Sequence, residues 1–524
     1  MAVPVDSQLP PLAAPVPLSS PSSSSSSSTR TPTNKQYPNG KHPMLRYQTP
    51  YWWPYRTFVK KRWIGRELLE VVSTEFRDRS VEYYRHALES GVTRVNGAVA
   101  WPELVLRDGD RIDNTVHRHE PPITNDPILI LHIDREREFV VISKPGSIPV
   151  HVTGRYFRHT VLEIMKSDHD ITCYSVNRLD RLTSGLMILA LTSGASRDLS
   201  QEFVDGKVQK EYVARVRGRF PDGEITVDQP LLTVDRQMGL VIVTPEGKEA
   251  KTIFKRMSYD PKRDESVVHC RPMTGRTHQI RVHLQYLGHS IPNDPLYAQE
   301  AVWGPGIGRG GVKLAEPGES SASALATAIA ARIVKNGGSQ NGAAKKDFAD
   351  PSDNNREYAN IDIASPIRLS SQAKDIIAKL RRQKDEQEDW VKWKEVVFNI
   401  KTAQDSLETT DPTPPPTRSS IPHPRTVQSQ IKAGLPDALP DETPSPLKPP
   451  AHLPEGFCKE CFIPVPDDPN PETQFIYLHA LRYTTEGLGQ WETPLPRWAG
   501  ADWDGEDWRG WVDVPDKSPE QIIA

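Results

Sequence analysis

The chain has 524 residues, 49 of them proline, a mean hydropathy of −0.56 and a formal net charge of −3. So much proline with so little apolar content excludes a hydrophobic core running through the whole length. Four cysteines, Cys173, Cys270, Cys458 and Cys461, exclude a disulfide framework, and no run approaches the ~20 apolar residues of a membrane span.

Residues 1–45 read as a disordered tail, rich in serine (Ser20, Ser22–Ser28) and proline. They lack the Arg-rich amphipathic character of a mitochondrial presequence, which points to cytoplasm or nucleus, although the serine content leaves a mitochondrial address open. From Arg30 to Arg66 there are nine Lys/Arg and no Asp/Glu, interleaved with Tyr47, Tyr51, Trp52, Trp53 and Tyr55. That pattern suits a phosphate backbone with stacking platforms, or equally a basic leader whose aromatics pack on the next domain.

Ile64, Leu68, Leu69, Val71 and Val72 recur at helical spacing, and a second helix is expected over Val81–Leu88. A short hairpin follows around Asn96-Gly97, ending near Asp108–Ile112. From Ile128 to Tyr297 strands dominate. They are expected at 128–133, 139–143, 186–191, 210–216, 240–244, 251–257 and 266–269, with helices at 161–165 and 195–203. Between about 300 and 455 the composition turns to Gly, Ser, Thr and Pro, interrupted by a charged stretch, 373–407, that fits an exposed helix or helical pair. Strand texture returns at Phe475–Ala480.

The densest polar constellation is Asn177-Arg178-Leu179-Asp180-Arg181-Leu182-Thr183-Ser184-Gly185. Flanking arginines favour an ionised Asp180, the form a nucleophile or base needs, although an Arg-Leu-Asp triplet alone is usually a surface ion pair. Lys210-Glu211-Tyr212-Val213-Ala214 sets a tyrosine on a strand beside a lysine. The string Gly275-Arg276-Thr277-His278-Gln279-Ile280-Arg281-Val282-His283 is too polar for a core helix. Read as a strand it groups Arg276 with His278 and Ile280; read as a helix it groups Arg276 with Gln279 and His283.

Together with Lys144-Pro145-Gly146 and the later block Gly288–Tyr297, these motifs resemble, in order and spacing, the RluA-type pseudouridine synthases. Gly91–Gly97 and Asp108–Ile112 look like the small RNA-binding module of many members. Leu478–Tyr483 and Pro494–Ala499 are similar to the family's closing strand and exit segment. Tyr51–Tyr55 and the Cys458–Cys461 preface look most like the eukaryotic branch, which includes fungal enzymes similar to transfer-RNA pseudouridine-32 synthase. The resemblance covers roughly 46–300 and 455–512.

It implies an α+β fold: a mixed, mostly antiparallel catalytic sheet with a small N-terminal α/β module. The expected organisation is a tail (1–45), a leader and RNA-binding module (46–121), the catalytic domain (122–300), an insertion (301–455), a closing catalytic segment (456–512) and a second tail (513–524). The implied activity is isomerisation of uridine to pseudouridine in structured RNA, as a monomer and without a cofactor. The RNA is expected to be tRNA and the uridine one of the anticodon loop; the competing reading is a degenerate RNA-binding or chaperone protein. Asp180, Tyr212 and Arg276 are the implied catalytic residues. Asp180 attacks the ribose or abstracts its proton, Tyr212 stacks on the uracil, and Arg276 pairs with Asp180. Arg178 would fill the space of the flipped base. Arg181, Lys210, Arg281, Lys60, Lys61, Arg62, Arg66 and Arg94 are the other RNA-contacting cations. The chain departs from the common pattern in having Asn177 where many members have His. It also lacks the His-x-Glu and Pro-Cys-x-x-Cys set of a fused deaminase. Cys458 and Cys461 have the spacing of half a metal knuckle, with His452 and His479 as nearest candidate partners, and no metal is expected.

Overall fold

A computed structural model describes residues 41–76, 81–89, 93–235, 238–312, 369–387, 456–459, 465, 467–500 and 503–505. β1 (Leu45–Arg46) precedes β2 (Tyr51–Phe58), α1 (Leu68–Val71) and α2 (Val81–Glu89). The next strands are β3 (Thr93–Val95), β4 (Ala98–Val99), β5 (Arg111–Arg118) and β6 (Ile123–Thr124). β1 pairs with β6, while β2, β5, β3 and β4 form an antiparallel sheet in that order. This small unit has its own core, built on Trp63, Leu68, Val71, Leu88, Val95 and Ile112. The aromatic leader is therefore a strand, unforeseen because it contains Pro54. As the edge strand of its sheet, β2 tolerates a residue without an N–H. Its aromatics pack inward: Trp53 lies 4.4 Å from Phe157, and Trp52 4.6 Å from His117, ring centre to ring centre.

The second sheet begins with β7 (Leu129–Asp134) and β8 (Phe139–Lys144), followed by α3 (Val161–His169) and β9 (Tyr174–Ser175). Then come β10 (Ser184–Ala190), α4 (Ser193–Val204), β11 (Gln209–Arg217) and β12 (Glu224–Asp228). β13 (Leu231–Asp235) and β14 (Leu240–Val243) make a separate hairpin before β15 (Lys251–Asp260) and β16 (Glu265–Pro272). α5 (Gln279–Leu287), α6 (Glu300–Trp303), α7 (Ser371–Gln387), β17 (Leu478–Thr485) and β18 (Gly489–Glu492) complete the α-helices and strands among the described residues.

Ten strands join in the order β12-β15-β16-β11-β17-β10-β8-β7, with β18 on β17 and β9 on β10. Every pairing is antiparallel except β10 with β17, which run parallel with Gly185 opposite Ala480. β8 is buried along its whole length, and β10 from Gly185 onward. Strands covered on both faces read as continuous apolar runs rather than as alternation. Gly185 has φ +114, and a Cβ there would lie 2.2 Å from the Ala480 carbonyl oxygen. β17 can approach only a glycine at that point.

A further core joins the β13–β14 hairpin to α5, α6 and α7. The charged stretch was expected as an exposed helix. Instead α7 buries Ala373, Ile376, Ile377 and Leu380 against Leu231, Val241, Tyr297 and Trp303. Its Arg381 donates Nε to Asp235 at 2.8 Å. A residue count weighted by charge hides this apolar stripe, which follows the i, i+3, i+4 spacing of a docked helix. Residues 388–407 of the expected helical stretch lie outside the described residues.

Candidate active site

Asp180 lies in the loop between β9 and β10, and that loop is fixed at several points. Leu179 and Leu182 are buried in the main core. The Lys144 ammonium, fully buried, donates to the carbonyls of Pro145, Ile148 and Arg181, a full set of acceptors for its three N–H groups. Burial lowers its pKa to about 7, with nearby Arg181 acting in the same direction and Asp180 against it. Ile476 N donates to Leu182 O at 3.0 Å, and Arg181 Nη1 to Gln474 Oε1 at 2.8 Å. Asn177 Nδ2 donates to the Tyr483 hydroxyl. So held, the Asp180 side chain stays 28% exposed.

Two side chains meet it from the start of α5. Arg281 donates Nη1 to Asp180 Oδ2 at 2.9 Å, and His278 Nε2 stands 3.5 Å from the same oxygen. Arg281 is itself 4% exposed and makes a second, two-pronged contact with Asp294: Nε to Oδ2 at 2.6 Å and Nη2 to Oδ1 at 2.9 Å. Asp294 also accepts the N–H groups of Leu296 and Tyr297. Burial works to raise the Asp180 carboxyl, but His278 and Arg281 together bring it below its ordinary value. His278 is lowered to about 4 by burial and by Arg281, so at neutral pH the standing positive partner is Arg281. The Tyr297 hydroxyl accepts from Val241 N and lies 2.8 Å from His278 Nδ1. With Nδ1 accepting the Tyr297 proton, the neutral imidazole carries hydrogen on Nε2 and can donate toward Asp180.

Tyr212 is buried on β11, its hydroxyl 3.2 Å from that of Tyr483 on β17. The register against β17 shifts between Glu211 and Tyr212, which leaves Leu481 of β17 as the extra residue opposite this point. Burial, the Tyr483 hydroxyl and the Asp180 charge all raise the Tyr212 phenol, so it keeps its proton.

The remaining expected residues separate into groups. Arg276 does not pair with Asp180: it is exposed and donates Nε to Glu249 O at 2.9 Å. The reason is local. His278 has φ +55 and precedes the first residue of α5, so the helix starts too late to bring Arg276 round to the Asp180 side. Arg281, expected on phosphate, is buried between two carboxylates and takes the place assigned to Arg276. The helical grouping of Gln279 with His283 is observed, both bonding Thr252. Arg178 is exposed beside Asp180, Arg181 is tied to Gln474, and Lys210 is partly buried, which lowers its pKa. In the small unit, Lys60 lies over the Trp63 ring, while Lys61 and Arg94 are exposed. Arg62 and Arg66 are engaged by Glu75, at 2.6 and 3.2 Å. Residues not foreseen at the site are His278, Asp294, Tyr297, Tyr483 and Lys144. His278 precedes α5, Asp294 and Tyr297 lie in the segment after it, and Tyr483 is on β17, so their meeting depends on long-range packing that the sequence alone does not give.

A family model described as RNA pseudouridylate synthase matches residues 138–286, a span that contains Asp180, Tyr212, His278 and Arg281. A human protein described as Pseudouridylate synthase RPUSD2 is 36% identical over 461 residues, covering 88% of this chain and 74% of that protein. From Saccharomyces cerevisiae, the protein described as tRNA pseudouridine(32) synthase, mitochondrial, is 46% identical over 271 residues, 51% of this chain and 58% of that one. A second yeast protein, tRNA pseudouridine(31) synthase, is 34% identical over 291 residues, 48% of this chain and 72% of its own. The chain belongs to the RNA pseudouridylate synthase family, and its enzyme class is that of the pseudouridine-forming isomerases.

Proposed function

We propose that this protein isomerises a uridine of the tRNA anticodon loop, with Asp180 as the catalytic carboxylate. The observation that carries the reading is the Asp180 carboxylate itself. It is accessible, held ionised by a buried arginine, and set beside a protonated, buried tyrosine. Two yeast relatives are named for tRNA uridines 32 and 31, which supports tRNA as the substrate class.

In the reaction the bond from ribose C1′ to uracil N1 breaks and the base turns. A bond from C1′ to C5 forms, the C5 proton leaves and N1 gains one. Asp180 acts on the ribose, as nucleophile at C1′ or as base. The target must first leave the stack, and Arg178, exposed next to Asp180, fills the space it vacates. Tyr212 packs against the uracil and, holding its proton at neutral pH, serves as donor rather than acceptor. Arg281 stays out of the substrate's reach and positions Asp180. Arg276, at the exposed rim, meets RNA together with Lys210, Lys60, Lys61 and Arg94 through salt-sensitive phosphate contacts.

The test uses tRNA transcripts carrying tritium at uridine C5, with the modified position mapped by chemical probing. The expected result is tritium release from an anticodon-loop uridine, abolished in Asp180→Asn, with RNA affinity kept within a few fold. Full single-turnover activity in Asp180→Asn overturns the catalytic assignment. Release confined to uridines outside tRNA overturns the substrate.

A further inference from the structure

Far along the chain from each other, β5 and the segment before β17 bring three metal-ligating side chains together. His117 is the next-to-last residue of β5 and His119 follows the strand's end, two positions on and so on the same side of an extended chain. Cys458 reaches them from a short turn. His117 Nδ1 is 3.2 Å from His119 Nε2 and 3.5 Å from Cys458 Sγ, and the three ligand atoms all lie within 4.8 Å of one another. We propose that these residues form a structural zinc site.

The spacing fits a shared ion. With Zn–N of ~2.05 Å and Zn–S of ~2.3 Å, tetrahedral ligands stand about 3.3 Å apart for two nitrogens and about 3.6 Å for nitrogen and sulfur. The two measured separations, 3.2 and 3.5 Å, agree with these. A closed zinc site takes four ligands; His117, His119 and Cys458 supply three among the described residues. The turn carrying Cys458 is drawn closed at its ends, with Val465 N donating to Gly456 O at 2.8 Å and Gly456 at φ +87. The Trp52 ring covers His117 from one side, 4.6 Å centre to centre. Of the two partners considered from sequence, His479 is engaged on both ring nitrogens by Ser184 and Thr493, and His452 lies outside the described residues.

The location gives the ion a task. β5 belongs to the small N-terminal sheet, whereas the 456–470 segment leads into β17 of the large sheet. Immediately after His119, Glu120 accepts the backbone N–H groups of Phe157, Arg158 and His159 as well as the Tyr51 hydroxyl. The zinc would therefore sit at the joint between the two sheets and tie the returning chain to it.

The experiment uses the full chain, produced with zinc and freed of loosely bound metal by gel filtration. Elemental analysis is expected to give about one zinc per chain, falling to about a tenth or less in His119→Ala and in Cys458→Ser, and unchanged in Asp180→Asn. Because the last variant targets the proposed catalysis alone, failure of either idea is told from failure of the other. Cobalt substitution should give tetrahedral visible bands and a near-ultraviolet thiolate band that is lost in Cys458→Ser. A band that survives that change overturns Cys458 as a ligand. If the variants fold poorly, wild-type protein decides. Its melting midpoint should fall on chelation and be restored by zinc but not by magnesium. Wild-type protein with a tenth of an equivalent or less, or a melt indifferent to chelator and zinc, overturns the site.

Discussion

Arg281 reaches Asp180 from inside the protein, Nη1 to Oδ2 at 2.9 Å, while being almost wholly closed to solvent itself. A cation so placed sets the charge state of the carboxylate without competing for the substrate. Its other edge is occupied by Asp294, which is 1% exposed.

The first prediction separates the two arginines. Arg281→Leu strands Asp294 in a dry site and is expected to cost about 3–5 kcal/mol in stability, together with most of the activity. Arg276→Ala, at an exposed position, is expected to change stability by no more than about 0.5 kcal/mol. Urea unfolding and single-turnover tritium release on the same preparations check both. Equal losses in the two variants would show that Arg281 has no special hold on the site.

A second prediction concerns the pH profile of catalysis. Asp180 is depressed below 3.8 and His278 is lowered to about 4. Activity limited by these groups should therefore persist down through pH 5 with no inflection near the usual histidine range of about 6.5. Stability follows the same sign for Asp180: the ionised form contributes above the unfolded-state value and is lost as pH falls through the lower folded one. In Arg281→Lys, where a single ammonium replaces the fork, the acid limb should move upward. An inflection near neutrality that vanishes in His278→Asn would show that imidazolium takes part.

Buried neutral histidines give a separate stability window. His283 is lowered to about 4 and His479 to about 3, in both cases first by burial. On acidification the unfolded chain takes up protons at these positions from about pH 6.5, whereas the folded chain does so only near its lowered values. The melting midpoint is therefore expected to decline from pH 6.5 toward pH 4. A calorimetric series across that range is the measurement, and a flat midpoint would contradict it.

The docked face of α7 carries the next prediction. Ile377 is 1% exposed and lies in the core shared with the β13–β14 hairpin. Ile377→Asp should destabilise by about 2–5 kcal/mol, the range for losing a large buried side chain, with the burial cost of a polar group added. Closure entropy alone would let a Gly/Ser linker replace residues 305–450 at little cost. That replacement removes α7, however, so it is expected to lower the melting midpoint and uncover apolar surface. A melt equal to wild type would show that the helix is dispensable.

Gly185 gives the last prediction. Any side chain there meets Ala480 backbone atoms at 2.2–2.8 Å on a φ of +114. Gly185→Ala should therefore abolish soluble expression, whereas Gly206→Asn, at φ +73 with nothing within 4 Å, should be nearly neutral. Wild-type expression and melting in Gly185→Ala would refute the close pairing.

Parts of this architecture are legible in the residues because they are locally determined. β8 and β10 announce themselves as apolar runs, since both faces of the sheet are covered there. Asp180 and Tyr212 stand in motifs that do not depend on helix phase. Arg281 was harder to place, because its side of the helix is fixed by where α5 begins, and a left-handed His278 decides that. Long-range partners are the least legible. Nothing near Cys458 points to His117 and His119, and the stripe on α7 has meaning only once the hairpin it covers is known.

β17 occupies the middle of the large sheet, between β10 and β11, although it is made long after both. During synthesis those two strands emerge first, each with an unsatisfied edge facing the gap, and must wait for their shared neighbour. Such edges template pairing with other chains. The nascent protein thus passes through an interval in which the aspartate loop has neither Gln474 nor Ile476 to hold it. Vulnerability to misassembly, and dependence on chaperones, should peak while the ribosome traverses the stretch before Leu478. Synonymous codon changes that slow that traverse would lower the yield of active enzyme without altering a single residue.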